Sequence, residues 1–596
     1  DQVQKGIVEV VRDEDFKNTL KHYIPHHEKL TPKKTTTKLR IVFDASAKTR
    51  KKYQSLNESL HRGPVILEDL CGLLLRFRLH KVALVADVEK AFLQVGLQPD
   101  DRDVTRFLRL KDPSMPTVEN NVQILRFTRV PFGMISSPFL LAATIKNHLT
   151  KAGTPIAHQI ADNMYVDNMI TDVETSTQAD ELYEEAKTLF QSASMNLGEW
   201  ASNSSEFLQN IPECDRTSAE TVKVLGTSWN LTTDTIFING CHNLSSNVNT
   251  KREALQSVSR IYDPLGLFSP AKLNAKLFIQ ELWKQEKHWD ETFSQSSHQE
   301  WNMIYESLTP LSSRPLPRYV GGDEHKLFCF TDVSAKAYSA ALYLYSSVNG
   351  KATVNLVFSK ARVAPAKQLS IPRLELLGGL IGTRCLNYAT QQLQLSEADR
   401  FLWTDSQCVL HWITTCKPLP VFLQNRLREI TSHRDIKFDY VSTSQNPADL
   451  STRGVCLGIG TTLASFQDWG RRASKYELLR ISVATGANRS AFSFKSQAGM
   501  PSGPEALAGL RAMSFFKTLN SVTAGVLVYC TANETPESNG VKDFIGARKA
   551  LLMTLARAVR LESGHVSICF RTEVGSVCVA DCIPPSDLTF HHLRGS

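Results

Sequence analysis

Carboxylates that follow short apolar runs are the side chains of this chain best suited to chemistry. Asp87 ends the run LVAD, Asp167 lies in the turn YVDN, and Asp332 and Asp405 end two later apolar runs. A strand end presents such a carboxylate where it can meet a metal ion, and clustered carboxylates hold the divalent cations used in phosphoryl transfer. The residue types therefore predict metal-dependent chemistry on phosphates.

Four segments before residue 230 follow the order that a template-directed polymerase needs. Asp87 and Asp167 would be its metal ligands, and Arg40 would lie over a triphosphate, whose oxygens a guanidinium stabilises. The ring of Phe92 would close the pocket beneath the sugar and clash with a 2′-hydroxyl. Taken singly, these residues suit a cap, a surface charge or core packing equally well. The segments are KLRIVFDASAK (38–48), LVADVEKAFLQV (84–95), RVPFGMISSPFLLAATI (129–145) and NMYVDNMIT (163–171).

A second set of acids lies on a strand-rich pattern after residue 326. Asp332 and Asp405 end apolar strands, Glu375 lies early in a predicted helix, and Asp449 lies at a strand-to-helix junction. Four acids in this order can surround two magnesium ions that activate a water against a phosphodiester. Each acid alone would suit a cap or a surface charge. The set lies in the motifs TDVS, LSIPRLELLG, TDSQCVLHW and NPADLSTRG, on a β-β-β-α-β-α-β-α pattern.

The elements between these motifs are predicted from apolar periodicity. Residues 1–230 mix short apolar strands with helices, whereas 231–320 carry apolar positions at helical spacing. The run SSRPLPRYVGGDEH (312–325), rich in Pro, Gly and charge, predicts a linker. Residues 326–453 form a second mixed unit, and the end of the chain predicts a small α/β unit.

Bulk properties restrict the class of protein without identifying it. The 596 residues are 42% hydrophobic and carry a net charge of +8, which suits a globular protein with a polyanionic partner. No apolar run is long enough for a membrane span, and no signal peptide is apparent. The twelve scattered cysteines predict reduced, mostly buried thiols. An N-terminal Asp in place of Met predicts a piece of a longer polyprotein.

The polymerase segments and SRIYDPLGLFSP (259–270) resemble the Pol polyprotein of the Bel/Pao class of LTR retrotransposons over about residues 20–455. This resemblance implies an α+β and α/β multidomain chain, in which a right-hand polymerase precedes a ribonuclease H-like mixed-sheet domain. Fingers and palm would occupy 1–230, a largely helical thumb and connection 231–320, and the ribonuclease H-like domain 321–455. Residues 456–596 stay unassigned.

The resemblance also implies the roles of individual residues. Asp87 and Asp167 would bind metal in the polymerase, with Asn168 in the same catalytic turn. The implied nucleotide-binding residues are Lys38, Arg40, Phe92, Phe132 and Gly133. The implied metal ligands of the nuclease are Asp332, Glu375, Asp405 and Asp449.

One position departs from the pattern of most reverse transcriptases, which have two adjacent aspartates where this chain has Asp167-Asn168. Asn168 removes one negative charge but keeps an acceptor oxygen. Magnesium commonly uses only one or two protein carboxylates, so we expect weaker metal binding rather than none. Asp162, five residues before Asp167, would compensate only if a bend brought it near.

The expected function is RNA-directed DNA synthesis with ribonuclease H activity. The implied cofactors are Mg²⁺ or Mn²⁺, two per site, and the implied partners are an RNA template, a DNA primer, RNA–DNA hybrid and deoxynucleoside triphosphates, with no membrane. We expect an intracellular, cytoplasmic location, in virus-like particles or free, with access to the nucleus. The rival hypothesis is a decayed or domesticated transposon-derived protein that binds nucleic acid without polymerising.

Overall fold

The computed structural model describes residues 2–12, 20–30, 39–241, 244–348, 351–367, 369–454, 568–572 and 575–579. The chain divides into two compact units, Asp1–Arg471 and Arg472–Ser596, and each is described by itself. No helix in the described ranges is both long and apolar enough to cross a membrane.

The N-terminal part of the first unit is built on three sheets. Strands β7-β8-β4-β9 form its central sheet, β1-β6-β5 form a second, and β2-β3 form a hairpin. The central sheet packs its apolar face on α3, α4 and α5 through side chains such as Leu84, Leu141 and Phe190. The elements are β1 (Val8–Val10), β2 (His26–Leu30), β3 (Leu39–Phe43), α1 (Leu56–Ser59), α2 (Leu70–Arg76), β4 (Val82–Val88), β5 (Arg106–Leu110), β6 (Val122–Phe127), α3 (Ser137–Ala152), α4 (Pro155–Asp162), β7 (Met164–Tyr165), β8 (Asn168–Val173), α5 (Ser176–Ser192), β9 (Leu197–Ser202) and α6 (Ser205–Asn210).

The middle of the first unit combines a small sheet with three helices. Strands β10-β11-β12-β13 pair in that order. The helices predicted from apolar spacing over 231–320 are confirmed, although the sheet joins strands from both sides of residue 230. The elements are β10 (Thr221–Val224), β11 (Thr227–Asn230), β12 (Thr235–Phe237), α7 (Lys251–Ser259), α8 (Ser269–Lys284), α9 (Gln295–Leu308) and β13 (Leu316–Pro317).

The predicted linker at 312–325 is wrong, because this segment is packed into the unit. Leu316 and Pro317 pair with Ile236 and Thr235. The next residue, Arg318, is fully buried and donates from its guanidinium to the carbonyls of residues 77, 80 and 81. The same side chain forms an ion pair with Asp234 on the β11–β12 turn, in which Arg318 Nε lies 2.6 Å from Asp234 Oδ1. A segment rich in Pro and Gly therefore serves as a fixed connection.

The C-terminal part of the first unit is a five-stranded mixed sheet in the order β16-β15-β14-β17-β18. The first three strands are antiparallel, and β17 and β18 continue parallel to β14. Two helices, rather than the predicted one, separate β17 from β18, because Pro418 and Pro420 interrupt the helical stretch. The elements are β14 (His325–Val333), β15 (Ala337–Val348), β16 (Lys351–Val363), α10 (Ile371–Gln392), β17 (Asp399–Thr404), α11 (Gln407–Thr414), α12 (Val421–Ser432), β18 (Ile436–Tyr440) and α13 (Leu450–Arg453).

Helix α10 lies unusually close to the mixed sheet. A Cβ built at Gly382 would lie 2.5 Å from a side-chain carbon of Thr331 and 2.9 Å from one of Leu402, so only glycine fits there. Ser370 and Pro372 begin this helix at the predicted cap and first turn, although the Ser370 hydroxyl makes no capping hydrogen bond. The close approach brings the start of α10 to the carboxyl ends of β14 and β17.

Helix α8, which falls in the predicted thumb and connection, packs on the edge strand of the mixed sheet. Lys276 Nζ donates to the Ala361 carbonyl at 3.0 Å, and Gln280 Nε2 donates to the Ala364 carbonyl at 2.7 Å. A helix laid against β16 in this way covers an otherwise open sheet edge.

The second unit is described only at one antiparallel hairpin, formed by β19 (Ile568–Thr572) and β20 (Gly575–Val579). These strands match two of the runs predicted for a small α/β unit, and its predicted helix lies outside the described residues.

The cysteines only partly follow the prediction of mostly buried thiols. The seven that the structure describes in the first unit are free. Cys241, Cys329 and Cys385 are buried and Cys71 is half-buried, whereas the other three are exposed.

Candidate active sites

The first candidate site lies where three strands of the central sheet meet. Asp87 follows the buried run Val82–Ala86 on β4 and is paired with Asn168 on one side and with Gly198 on the other. The backbone N–H of Val88 donates to the Asp167 carbonyl at 2.8 Å. The sheet therefore brings Asp87 and the YVDN turn together, as the sequence predicted for a pair of carboxylates.

The YVDN turn has a strained backbone. Tyr165 and Asn168 are paired, so Val166 and Asp167 form a two-residue hairpin connection. Val166 has a φ of 59°, a left-handed conformation that is rare for a β-branched residue. Such strain persists only where surrounding structure enforces it, and it concentrates at functional sites. Here it holds the Asp167 carboxylate at the tip of the hairpin.

The electrostatics of this site show how closely its carboxylates lie. Burial, with the charges of Asp167 and Glu199, raises the pKa of Asp87 to about 7. Asn168 Nδ2 donates a hydrogen bond to Asp167 Oδ1 at 2.8 Å. A second aspartate at position 168 would repel the Asp167 carboxylate. The Asn168 amide instead donates a hydrogen bond to an oxygen of that carboxylate and fixes its orientation.

Three of the residues predicted to bind the nucleotide, Phe92, Phe132 and Gly133, lie in one packed region. The rings of Phe92 and Phe132 meet edge to face with their centroids 4.9 Å apart. Gly133 has a φ of 93°, and a Cβ there would lie 2.6 Å from the Phe43 carbonyl oxygen. Asn57 fixes the turn by donating to the Gly133 carbonyl at 3.0 Å. The VPFG turn is thereby pressed against the end of β3.

The basic residues predicted near the nucleotide are only partly described. Arg40 is exposed on β3, three residues or roughly 10 Å before Phe43. Lys38 lies outside the described residues. Lys48, at the end of the segment KLRIVFDASAK, pairs with Glu58 at 2.6 Å.

The second candidate site lies at the carboxyl ends of two parallel strands in the mixed sheet. Thr331 of β14 and Thr404 of β17 are direct partners, so the acids that follow them, Asp332 and Asp405, lie at the same sheet edge. Glu375, in the second turn of α10, faces this edge, and Asp449 ends a 3₁₀ turn just before α13.

Burial raises the pKa of acids in this site, and the charges of neighbouring carboxylates add to the shift. Burial, above all, raises the pKa of Asp332 to about 7, with Asp405 and Asp449 adding to the shift. Burial and the charges of Asp405 and Asp332 raise the pKa of Glu375 to about 8. Burial also raises the pKa of Asp449, with Arg453 opposing the shift. The charges of Asp405 and Asp449 thus act on Asp332, and those of Asp332 and Asp405 act on Glu375.

Hydrogen bonds satisfy only some of these carboxylate oxygens. The Thr452 hydroxyl donates to Asp332 Oδ2, and the Thr443 hydroxyl donates to Asp405 Oδ2 at 2.7 Å. Asp405 Oδ1 is buried and has no hydrogen-bond partner among the described residues. A buried carboxylate oxygen without a partner is costly, and a cation would relieve that cost.

The segment NPADLSTRG (446–454) is tied to the sheet by two hydrogen bonds. Asn446 Nδ2 donates to the Thr331 carbonyl at 2.9 Å, and the Ser339 hydroxyl donates to the Ala448 carbonyl at 3.0 Å. Arg453 pairs with Asp449 at 2.6 Å. The sequence prediction overlooked Thr443, Thr452 and Arg453, although Thr452 and Arg453 stand in the same motif as Asp449.

The donor chemistry of both sites suits divalent cations. Each site gathers carboxylates whose mutual repulsion a cation would neutralise. Within the described ranges, no three His, Cys, Asp or Glu side chains are drawn into a ready-made metal cluster. Water and substrate phosphates would therefore complete the coordination, as magnesium commonly requires.

The central sheet with its acidic hairpin, followed by a mixed five-stranded sheet with its acidic edge, defines a right-hand polymerase joined to a ribonuclease H-like domain. The family model "Reverse transcriptase (RNA-dependent DNA polymerase)" matches residues 31–226, and "Pao retrotransposon-like RNaseH-like domain" matches residues 250–406. The chain is thus a Bel/Pao-type Pol fragment that combines an RNA-directed DNA polymerase with a ribonuclease H. Proteins of both families generally use divalent metals.

The second family model begins at residue 250, earlier than the boundary predicted at 321. This start includes α7, α8 and α9, and it agrees with the packing of α8 on β16. The match ends at residue 406, so it includes Asp332, Glu375 and Asp405 but not Asp449.

One solved structure supports the fold, and two others are similar to this chain. The foamy viral protease-reverse transcriptase dRH in complex with double-stranded DNA has a TM-score of 0.51 at 16% identity, covering 74% of this chain and 68% of that chain. Foamy viral protease-reverse transcriptase with RNA/DNA hybrid and with double-stranded DNA each give a TM-score of 0.48 at 15% identity over 74% of this chain, covering 52% and 81% of those chains. A search of curated proteins finds no match.

Proposed function

We propose that the first site copies an RNA template into DNA from a DNA primer and deoxynucleoside triphosphates, and that the second cleaves the RNA strand of the resulting hybrid. The observation that carries this proposal is the presence of two separate groups of facing carboxylates, one on each sheet. Each site would use two Mg²⁺ or Mn²⁺ ions.

In the polymerase site, Asp87 and Asp167 would hold the cations. When bound, these would lower the pKa of the primer 3′-hydroxyl and stabilise the charge on the phosphates. Asn168 would keep the Asp167 carboxylate oriented through its amide hydrogen bond. Phe92 would exclude a 2′-hydroxyl, while Lys38 and Arg40 would contact the triphosphate.

In the nuclease site, Asp332, Glu375, Asp405 and Asp449 would share the cations that activate water at the scissile phosphate. Thr452 and Thr443 would orient two of these carboxylates by donating hydrogen bonds. The unpartnered oxygen of Asp405 would face the cations.

Nucleic acid would be the main partner of both sites. The neighbouring foamy viral structures are complexes with double-stranded DNA and with RNA/DNA hybrid. The net charge of +8 favours such polyanionic ligands. We further propose a cytoplasmic location, in virus-like particles or free, with access to the nucleus.

The second candidate function is nucleic-acid binding without polymerisation, and the loss of a carboxylate at Asn168 is the observation that favours it. Primer extension on an RNA template, measured beside cleavage of a labelled hybrid, tests both functions. We expect extension and cleavage in Mg²⁺ or Mn²⁺. Cleavage without extension in either metal would overturn the polymerase proposal and leave the nuclease proposal standing.

A further inference from the structure

Two neighbouring tryptophans lie exposed on the helical middle part of the first unit. Trp283, near the end of α8, is 50% exposed, and Trp289, in the loop before α9, is 39% exposed. Trp200, Trp229 and Trp301, in contrast, are fully buried. Tryptophan offers a large apolar area, and adjacent exposed rings of this kind are typical of surfaces that bind another molecule. Neither candidate active site uses this surface.

The two rings are held in place by a buried lysine. They meet edge to face with their centroids 5.1 Å apart. Lys251 is buried, and its Nζ lies 4.2 Å from the centroid of Trp283 and 5.2 Å from that of Trp289. The same Nζ donates to the Lys287 carbonyl, and the Arg252 N–H donates to the Trp289 carbonyl at 3.1 Å. Because the rings are already fixed in the free protein, a partner that covers them loses less entropy on binding.

The charged side chains beside the rings already pair with one another. Three cations each lie near an acid, with N···O distances of 2.7, 3.7 and 3.8 Å. The pairs are Arg252–Asp290, Lys284–Glu281 and Lys287–Glu291. Nucleic acid binds through cations that are free to replace its counterions, so this surface does not suit it. An aromatic centre with a polar rim is instead the usual composition of a protein–protein interface.

The same ion pairs make the surface complementary to itself. Because it carries three cations and three acids, a twofold rotation can bring the acids of one copy to the cations of another. In such a contact, residue i of one copy meets residue j of the other, and j meets i. Arg252 and Asp290 suit this exchange, since their side chains are 50% and 71% exposed. The tryptophan rings of both copies would then leave water together.

We propose that this surface, formed by the rings of Trp283 and Trp289 and the three ion pairs beside them, binds a second copy of the chain about a twofold axis. Arg252 of each copy would face Asp290 of the other. This self-association goes beyond the proposed function and does not depend on either active site.

Sedimentation equilibrium of the full-length protein, freed of nucleic acid, tests the proposal. We expect a monomer–dimer equilibrium in the unaltered protein. Trp283→Ala combined with Trp289→Ala should weaken dimerisation at least about thirtyfold, as loss of central aromatic residues commonly does. Tyr53→Ala is the matched control and should change nothing, because this ring is also 51% exposed and has the Lys52 Nζ 5.5 Å from its centroid. A monomer at every concentration, or a double variant that dimerises normally, would overturn the proposal.

Two charge variants test the twofold arrangement. Arg252→Glu and Asp290→Arg should each weaken dimerisation at least about tenfold, because like charges would meet at both contacts between the copies. An equimolar mixture of the two variants should dimerise again. In the mixed dimer, the introduced glutamate faces the introduced arginine, and the original aspartate faces the original arginine. This recovery also excludes misfolding as the cause of the loss. Single variants that dimerise normally, or a mixture that stays monomeric, would contradict the proposed interface.

Discussion

The polymerase and nuclease sites differ in how the protein compensates the negative charge of their clustered carboxylates. In the nuclease, Asp405 Oδ1 is buried and has no hydrogen-bond partner among the residues that the structure describes. In the polymerase, an amide takes the place of one acid, and Asn168 donates directly to Asp167. The nuclease site therefore keeps unrelieved negative charge, whereas the polymerase site has relieved part of it within the protein.

This difference bears on how strongly each site depends on cations. A carboxylate with an unmet acceptor gains more from a divalent cation than one already hydrogen-bonded by an amide. The nuclease site should therefore bind its cations more tightly, while the polymerase site should need more metal and draw on charge from outside the YVDN turn.

Removing one acid from each site should give the largest effects. Asp405→Asn should reduce hybrid cleavage by about a thousandfold and leave primer extension, because its site lies on a different sheet. Asp167→Asn should do the reverse. Both activities are measured on the same preparation, with Glu397→Gln and Asp162→Asn as surface controls. Loss of both activities in either variant would contradict the separation of the two sites.

The two sites should nevertheless share a structural support at Arg76. Its guanidinium donates to the Asp162 carbonyl at 2.7 Å and to Asn163 Oδ1 at 3.0 Å, just before the catalytic hairpin. It also donates to the carbonyl of Gln392, at the far end of the helix that carries Glu375. Arg76→Ala should lower the free energy of unfolding by about 2 kcal/mol, since four oxygen acceptors, Gln392 Oε1 among them, lose a charged donor.

Urea denaturation checks this loss, with Arg62→Ala as an exposed arginine control. Primer extension and hybrid cleavage should both become more sensitive to urea in Arg76→Ala. A variant in which only one activity is sensitised would show that the guanidinium supports one site alone, and unchanged stability would show that its bonds contribute little.

A carboxylate placed at position 168 should test whether the missing charge causes the difference in cation binding between the two sites. Asn168→Asp adds a negative charge beside Asp167 and removes the amide hydrogen bond, so the polymerase site should bind cations more tightly. The Mg²⁺ concentration at half-maximal extension should fall about threefold to tenfold, while that for hybrid cleavage stays constant. A higher Mg²⁺ requirement would mean that the amide's orienting role outweighs its missing charge.

Local sequence patterns were enough to predict much of both sites. Apolar runs ending in Asp87 and Asp332 predicted carboxylates at strand ends, and the structure has both acids on buried strands. Ser370 and Pro372 predicted the start of the helix that carries Glu375. These features depend on apolar periodicity and helix capping. Both are determined by residues only a few positions apart, so they can be read from the sequence.

Features that depend on distant partners were not predictable in this way. Arg318 lies among prolines and glycines, and its segment is a packed connection because of distant partners, among them the carbonyls of residues 77, 80 and 81. Glu199 gains its position from a bulge whose register is set by β4, more than a hundred residues earlier. The packing of α8 on β16 likewise joins segments that no local pattern connects.

The smallest effect we expect is a change of thermal stability with pH, and it should arise chiefly from the nuclease site. Burial raises the pKa of Asp332 to about 7 and that of Glu375 to about 8, so the folded protein holds protons that the unfolded chain loses near pH 4. This stabilisation is fully present below about pH 4 and is lost as pH rises through 7 and 8. Without metal, the melting temperature should therefore fall by a few degrees between pH 6 and pH 9.

Divalent cations should oppose this loss, because they bind the same carboxylates once the protons have left. Mg²⁺ should raise the melting temperature more at pH 9 than at pH 6, as followed by scanning fluorimetry. The double variant Asp332→Asn, Glu375→Gln should flatten the pH dependence, whereas Asp87→Asn should flatten it less, because it removes one carboxyl of raised pKa rather than two. If Asp87→Asn flattened the pH dependence more than the double variant did, more of the uncompensated charge would lie in the polymerase site than in the nuclease site.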